Sequence, residues 1–278
     1  MKRSILIPTD FSDNAWNAIV YALKLYKDEE CTFYFLNSFY FLNSTERTYI
    51  TTHYVEDLEV NSLKELAELK EMTEEANINP NHNFETISSN EPLHLAIEKV
   101  IKSHGIDMVI MGTKGATKAK EIFFGSNTVN VIKKMKLCPI LVVPDEFDFV
   151  EPKQIAFPTD FNRFYGEELY PIKRMAELYN SKIRIVHITK KKNLTAKQDY
   201  NLSMLKVYLE NYPHSFHWMP NYASKTQEIN DFIKDLEIDI LVMINYEHSL
   251  IEGFINEPVV TKIGFNPIVP FLVIPCSA

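Results

Sequence analysis

Met111–Thr128, MGTKGATKAKEIFFGSNT, carries three of the chain's seven glycines, Gly112, Gly115 and Gly125. The run that leads into it, Asp107–Met111 (DMVIM), is short, apolar and bounded by turn residues, and reads as a buried parallel strand. After Ser126, the apolar residues Val129, Ile132 and Met135 recur at helical spacing. The glycines therefore sit on a loop that leaves the carboxyl end of a strand and enters the amino end of a helix. Unpaired backbone N–H groups and the helix dipole favour an anion at such a place. Glycine lets backbone approach a phosphate closely and tolerates positive φ. The spacing G-x2-G-x9-G-S closes on Ser126, which this pattern predicts as the N-cap of the next helix.

Working outward, the chain repeats itself. Ile5–Ser12 (ILIPTDFS) returns as Ile155–Asn162 (IAFPTDFN), Asp107–Met111 as Asp239–Met243 (DILVM), and Pro139–Pro144 (PILVVP) as Pro270–Pro275 (PFLVIP). Three landmarks in the same order predict a tandem duplication, with domains at 1–144 and 153–278 joined by the acidic stretch Asp145–Pro152. Strand-like and helix-like periods alternate in each half. In the first, the strands are Ile5–Pro8, Thr32–Leu36, Phe84–Ile87, Asp107–Met111 and Ile140–Val143. Helices follow Ser12, span Leu58–Ala76, and run from Pro92 to Gly105, while Phe39–His53 reads as an irregular aromatic loop. In the second half the strands are Ile155–Pro158, Ile183–Ile188, Phe216–Met219, Ile240–Ile244 and Phe271–Ile274. This alternation predicts an α/β fold with a parallel sheet and helices on both faces.

A length of 278 residues accommodates two ordinary domains. The formal net charge of -8 repels the backbone of nucleic acid, so no nucleic-acid partner is expected. Cys31, Cys138 and Cys276 are widely spaced beside apolar runs and read as small buried hydrophobes rather than disulfide or metal ligands. His214 and His217 lack the spacing and cysteine neighbours of a zinc site. The start, MKRSILIPTDF, is too short an apolar run for a signal peptide, and no stretch approaches the length of a membrane span. A cytoplasmic protein with no membrane partner is expected.

The G-x2-G-x9-G-S pattern, together with the PTDF that ends the first strand, resembles the ATP-binding branch of the universal stress protein family. The resemblance implies two Rossmann-like domains of strand order 3-2-1-4-5, with ATP or AMP as ligand and Mg as a companion. It matches Pro8, Thr9 and Asp10 to the family's first-strand motif, and Gly112, Gly115, Gly125 and Ser126 to its phosphate loop. Met111 precedes that loop, and Asn127 and Thr128 follow it as helix-start contacts. Ser38 falls where the family usually lines the adenine pocket with an aliphatic residue. Lys114 is a candidate to neutralise phosphate, against the ordinary expectation of a solvated loop lysine. Asp10 would face Gly112 and accept hydrogen bonds from ribose or adenine; its competing reading is a helix-start carboxylate beside Ser12.

The second copy departs from the pattern. Aligned on DILVM, Gly112 and Gly115 become Ile244 and Glu247; aligned on PFLVIP, Gly125 and Ser126 become Asn256 and Glu257. A carboxylate repels phosphate and a side chain blocks close backbone approach, so one nucleotide site per chain is expected, in the first half. The apolar fifth strands, PILVVP and PFLVIP, suit pairing of the halves as an intrachain pseudo-dimer, and a further homodimer is left open. The leading functional reading is a nucleotide-binding protein that senses or signals. Its alternatives are a slow ATP hydrolase, for which no activated nucleophile or Walker-type motif is present, and an interaction module that binds no nucleotide.

Overall fold

In the computed structural model, residues 2–40, 52–113, 125–189, 193–220, 225–246 and 268–276 are described. The chain divides into two compact units, Met1–Asp148 and Phe149–Ala278.

The first unit runs β1 (Arg3–Pro8), α1 (Asp13–Leu25), β2 (Cys31–Ser38), α2 (Thr52–Ala76), β3 (Asn83–Ser89), α3 (Leu93–His104), β4 (Met108–Gly112), α4 (Ser126–Lys134) and β5 (Ile140–Val143). All its strand pairs are parallel, in the order β3-β2-β1-β4-β5. The order reverses between β1 and β4, where Ile5 pairs with Met108 and Leu6 with Val109. Ligands of open α/β sheets bind beyond the carboxyl ends of the strands at such a reversal.

Burial explains why these segments are strands. Ile5, Leu6 and Ile7 are fully buried, and every residue of β4 and β5 is buried, as expected of the inner strands of a parallel sheet. Each such aliphatic side chain stabilises the fold by roughly 1.5–3 kcal/mol. At the edge, β3 buries Phe84, which stacks on Phe33 and Phe35, and leaves most of its other residues partly or fully exposed. The helices begin and end as their sequences direct. Ser12 caps α1 by accepting from the Ala15 N–H at 3.2 Å, and α3 ends on Gly105, whose left-handed φ of 61° suits glycine. Helix α2 begins at Thr52, six residues before the expected Leu58, and residues 41–51 of the anticipated aromatic loop lie outside the described residues.

The second unit runs β6 (Gln154–Pro158), α5 (Leu169–Tyr179), β7 (Lys182–Thr189), α6 (Ala196–Leu209), β8 (His214–Pro220), α7 (Lys225–Asp235), β9 (Ile240–Asn245) and β10 (Phe271–Pro275). Its parallel order, β8-β7-β6-β9-β10, repeats that of the first unit. The strand register also repeats: Ile155 pairs with Ile240 as Ile5 pairs with Met108, which makes Ile244 the counterpart of Gly112. One difference is local. With Pro8 matched to Pro158, Asp13 matches Arg163, yet α5 begins only at Leu169. Residues 163–168 form irregular backbone where α1 is already helical.

Cys31 and Cys138 are buried, and burial pushes both thiols up to about 12. These two are inert packing groups, as the sequence predicts, whereas Cys276 is only half-buried, with its Sγ 3.6 Å from Glu168 Oε1. No helix among the described residues is long and apolar enough to cross a membrane.

Candidate functional site

The PTDF segment forms a tight turn that joins β1 to α1. Thr9 Oγ1 accepts from the Phe11 N–H at 3.0 Å, and Asp10 Oδ1 accepts from the Ser12 N–H at 3.2 Å and the Ser12 hydroxyl at 2.6 Å. These bonds hold Phe11 at a φ of 62°, a left-handed conformation rare for a bulky residue. The second unit builds the same turn. Phe161 has a φ of 57°, with its N–H on Thr159 Oγ1 at 3.1 Å and the Asn162 N–H on Asp160 Oδ1 at 2.9 Å. Recurrence of PTDF is thus accounted for by backbone geometry as well as by any ligand. Asp10 has the local helix-start role that competed with its binding role, and it also lies at the mouth of the site.

At the end of β4 the structure corrects one expectation about glycine. A Cβ at Gly112 would overlap Asn14 Oδ1 and come within 2.7 Å of Asn14 Cγ. The space that reads in sequence as room for a phosphate is filled from the protein's own α1. Asn14 is buried there, its Nδ2 donating to Asp145 Oδ1 at 3.0 Å. A second correction concerns the cap of α4. Gly125, in extended backbone (φ −61°, ψ 153°), occupies the N-cap position, and Ser126 is the first helical residue with no side-chain cap bond. The Gly125 N–H donates to the Thr113 carbonyl at 2.6 Å, which fixes the chain one residue earlier than the serine. The helix is tied down instead by Thr128, which is buried and whose Oγ1 donates to the Gly112 carbonyl at 3.0 Å. The Thr113 hydroxyl beside it is buried without a partner among the described residues.

These elements surround a cavity of about 460 Å³. Pro8 from β1, Thr9 and Asp10 from the turn after it, Ser38 from β2, Met111 and Gly112 from β4, and Asn127 and Thr128 from α4 all line it. Ser38 also donates to the Glu91 carbonyl at 2.7 Å, tying the end of β2 to the turn before α3. Gly125 and Ser126 adjoin the cavity in sequence but do not line it. Lys114 and Gly115 lie outside the described residues.

The remaining lining residues escaped the sequence: Ala15, Tyr40, Pro92, Leu93, His94, Asn130 and Lys134. Asn127, Asn130 and Lys134 share one face of α4 at helical spacing, a signal that was legible once α4 was assigned. Pro92, Leu93 and His94 arrive from the start of α3, which only tertiary structure brings near β4. Lys134 Nζ donates to His94 Nε2 at 3.2 Å across the two helices. Among the described residues no group of three or more His, Cys, Asp or Glu is placed to hold a metal ion.

The corresponding place in the second unit is furnished differently. Ile244 stands for Gly112, and the Tyr246 hydroxyl donates to Asp160 Oδ1 at 3.4 Å, beneath the Arg163 guanidinium at 5.5 Å from its ring. Burial, then the Asp160 charge, pushes the Tyr246 hydroxyl up to about 12. Tyr165, from the irregular segment before α5, is buried with its hydroxyl 2.7 Å from Thr159 Oγ1. Tyr246 is therefore half-buried and tied to the turn by its hydroxyl. Glu247, His248, Asn256 and Glu257 lie outside the described residues.

A family model described as the universal stress protein family matches residues 1–144. Universal stress protein MJ0577 of Methanocaldococcus jannaschii is 50% identical over 50 residues, a match that spans 18% of this chain and 30% of that protein. Universal stress protein YxiE of Bacillus subtilis is 25% identical over 149 residues, 51% of this chain and 99% of that protein. Among solved structures, a universal stress protein from Archaeoglobus fulgidus aligns with a TM-score of 0.69 at 18% identity, covering 98% of this chain and 96% of its own. That likeness extends the shared fold over both units.

Proposed function

The chain belongs to the universal stress protein family, and on that premise we propose that its first unit binds an adenine nucleotide, ATP or AMP, in a sensing or signalling role in the cytoplasm. The observation that carries this reading is the cavity of about 460 Å³ at the reversal of strand order. It gathers the PTD end of β1 with the end of β4 and the first turn of α4, and its size falls in the range of small-molecule sites. In this reading the start of α4, with Asn127 and Thr128, takes phosphate on exposed N–H groups, joined by Gly115 and Lys114 of the loop. Asp10 and Ser38 face the ribose and base. Any Mg²⁺ travels with the phosphates.

The second unit binds no nucleotide in this reading, because Tyr165 and Tyr246 furnish the equivalent ground and Glu247, Asn256 and Glu257 stand where Gly115, Gly125 and Ser126 do in the first. Calorimetry with ATP and AMP on the full chain tests the proposal, together with mass spectrometry of ligand released from the purified protein. One site per chain is expected. Two equivalent sites, or none, would refute it.

A further inference from the structure

The cavity has a second polar end that the family motif does not include. Asn127, Asn130 and Lys134 line it along one face of α4, so it extends over seven helical steps, or about 10 Å. At the far end Lys134 meets His94 of α3, with Nζ 3.2 Å from Nε2. An ammonium only donates, so in this contact Nε2 is the acceptor. Lys134 is exposed, and its hydrogen-bond partner among the described residues is an imidazole nitrogen rather than a carboxylate. In a chain of net charge -8, this places on the wall of the cavity a cation whose partner among the described residues is an imidazole. The carboxylate in the same lining, Asp10, is engaged with Ser12.

We propose that Lys134, held at rest by His94, meets a phosphate of the ligand distant from the start of α4, so that the cavity selects adenosine triphosphate over the monophosphate. The inference rests on the nucleotide reading above and deepens it. A monophosphate seated at the first turn of α4 leaves Lys134 on His94. A triphosphate extends along the helix, and its terminal phosphate replaces the imidazole as the partner of the ammonium, an anionic acceptor in place of a ring nitrogen.

The test is calorimetric titration of the full chain with adenosine, AMP and ATP, for the unaltered protein and for Lys134→Met and Lys134→Arg. Because Lys134 is exposed, both variants should keep the melting temperature. The unaltered protein should bind ATP about tenfold or more tightly than AMP, the scale of one hydrogen bond to a charged group. Lys134→Met should bring ATP down to the affinity of AMP while leaving AMP and adenosine unchanged, and Lys134→Arg should keep the preference. An ATP preference that survives Lys134→Met, or an equal loss for AMP and ATP, would overturn the role of Lys134 while leaving the nucleotide site standing. Failure of the unaltered protein to bind any of the three would overturn the site itself.

Discussion

The buried side chain of Asn14 fills the space that a methyl group on Gly112 would need, its Cγ 2.7 Å and its backbone carbonyl 3.0 Å from where that methyl would lie. The first turn of α1 and the last residue of β4 are thereby locked together, in the unit whose cavity both border. In the second unit the pair is dissolved: Ile244 has a side chain, and irregular backbone replaces the first turns of the helix.

Gly112→Ala should therefore destabilise the protein by about 1–3 kcal/mol, as overpacking does. Asn14→Ala opens the space but loses the bond to Asp145. In the double variant the two costs should fall short of their sum by about 0.5 kcal/mol or more, the coupling expected of residues in contact. Denaturant unfolding of the four proteins measures it, and strictly additive costs would contradict the packing described.

Ser12 and Ser126 offer a contrast between two serines at helix starts. Ser12 makes a cap bond, so Ser12→Ala should cost about 1 kcal/mol. Ser126 makes none, so Ser126→Ala should change stability by less than about 0.5 kcal/mol. If Ser126 serves the ligand, that same substitution should weaken ATP binding in a protein that melts normally. Calorimetry and thermal melts on one preparation separate the two effects.

Thr128→Val preserves shape and removes the hydroxyl that reaches the Gly112 carbonyl. A loss of about 1 kcal/mol is expected from one buried hydrogen bond. Hydrogen exchange should rise in α4 before it rises in β1, since the lost bond anchors that helix to β4.

Glu168 gives the fold a pH dependence of known sign. Burial pushes its carboxyl up, but the Glu168 and Gly166 N–H groups and the Arg163 guanidinium at 3.1 Å outweigh that and hold it below the ordinary value of 4.5. A carboxyl whose folded pKa is depressed stabilises above its unfolded pKa, and that contribution drains away as pH falls through the folded value. Relative to Glu168→Gln, the unaltered protein should be more stable at pH 7 by on the order of 1 kcal/mol, and the gap should narrow as pH falls below 4.5. Melting curves of both proteins between pH 3 and pH 7 measure the gap; one that stays constant would contradict this account.

Much was legible in the sequence because periodicity and repetition are properties of local segments. DMVIM and ILVV read as buried strands; Met108–Met111 of the first and all of the second lie buried in β4 and β5, and only Asp107 stays outside, exposed. The duplicated PTDF predicted two matching halves, and each half has the expected strand order. What the residues alone could not separate were two causes with one signature. Asp10 and Gly112 match a nucleotide motif, and each also satisfies a local demand of the fold, a turn at Phe11 and room for Asn14.

The amino-acid order by itself determined the class of fold, the duplication and which half keeps the glycine motif, since each follows from hydrophobic period and residue type along the chain. Only tertiary structure decided that Gly125 rather than Ser126 caps α4, that Asn14 fills the space beside Gly112, and that His94 meets Lys134 at the cavity. Those three depend on where separate elements approach one another. Such approaches are set by the packing of the whole unit, and no local pattern records them.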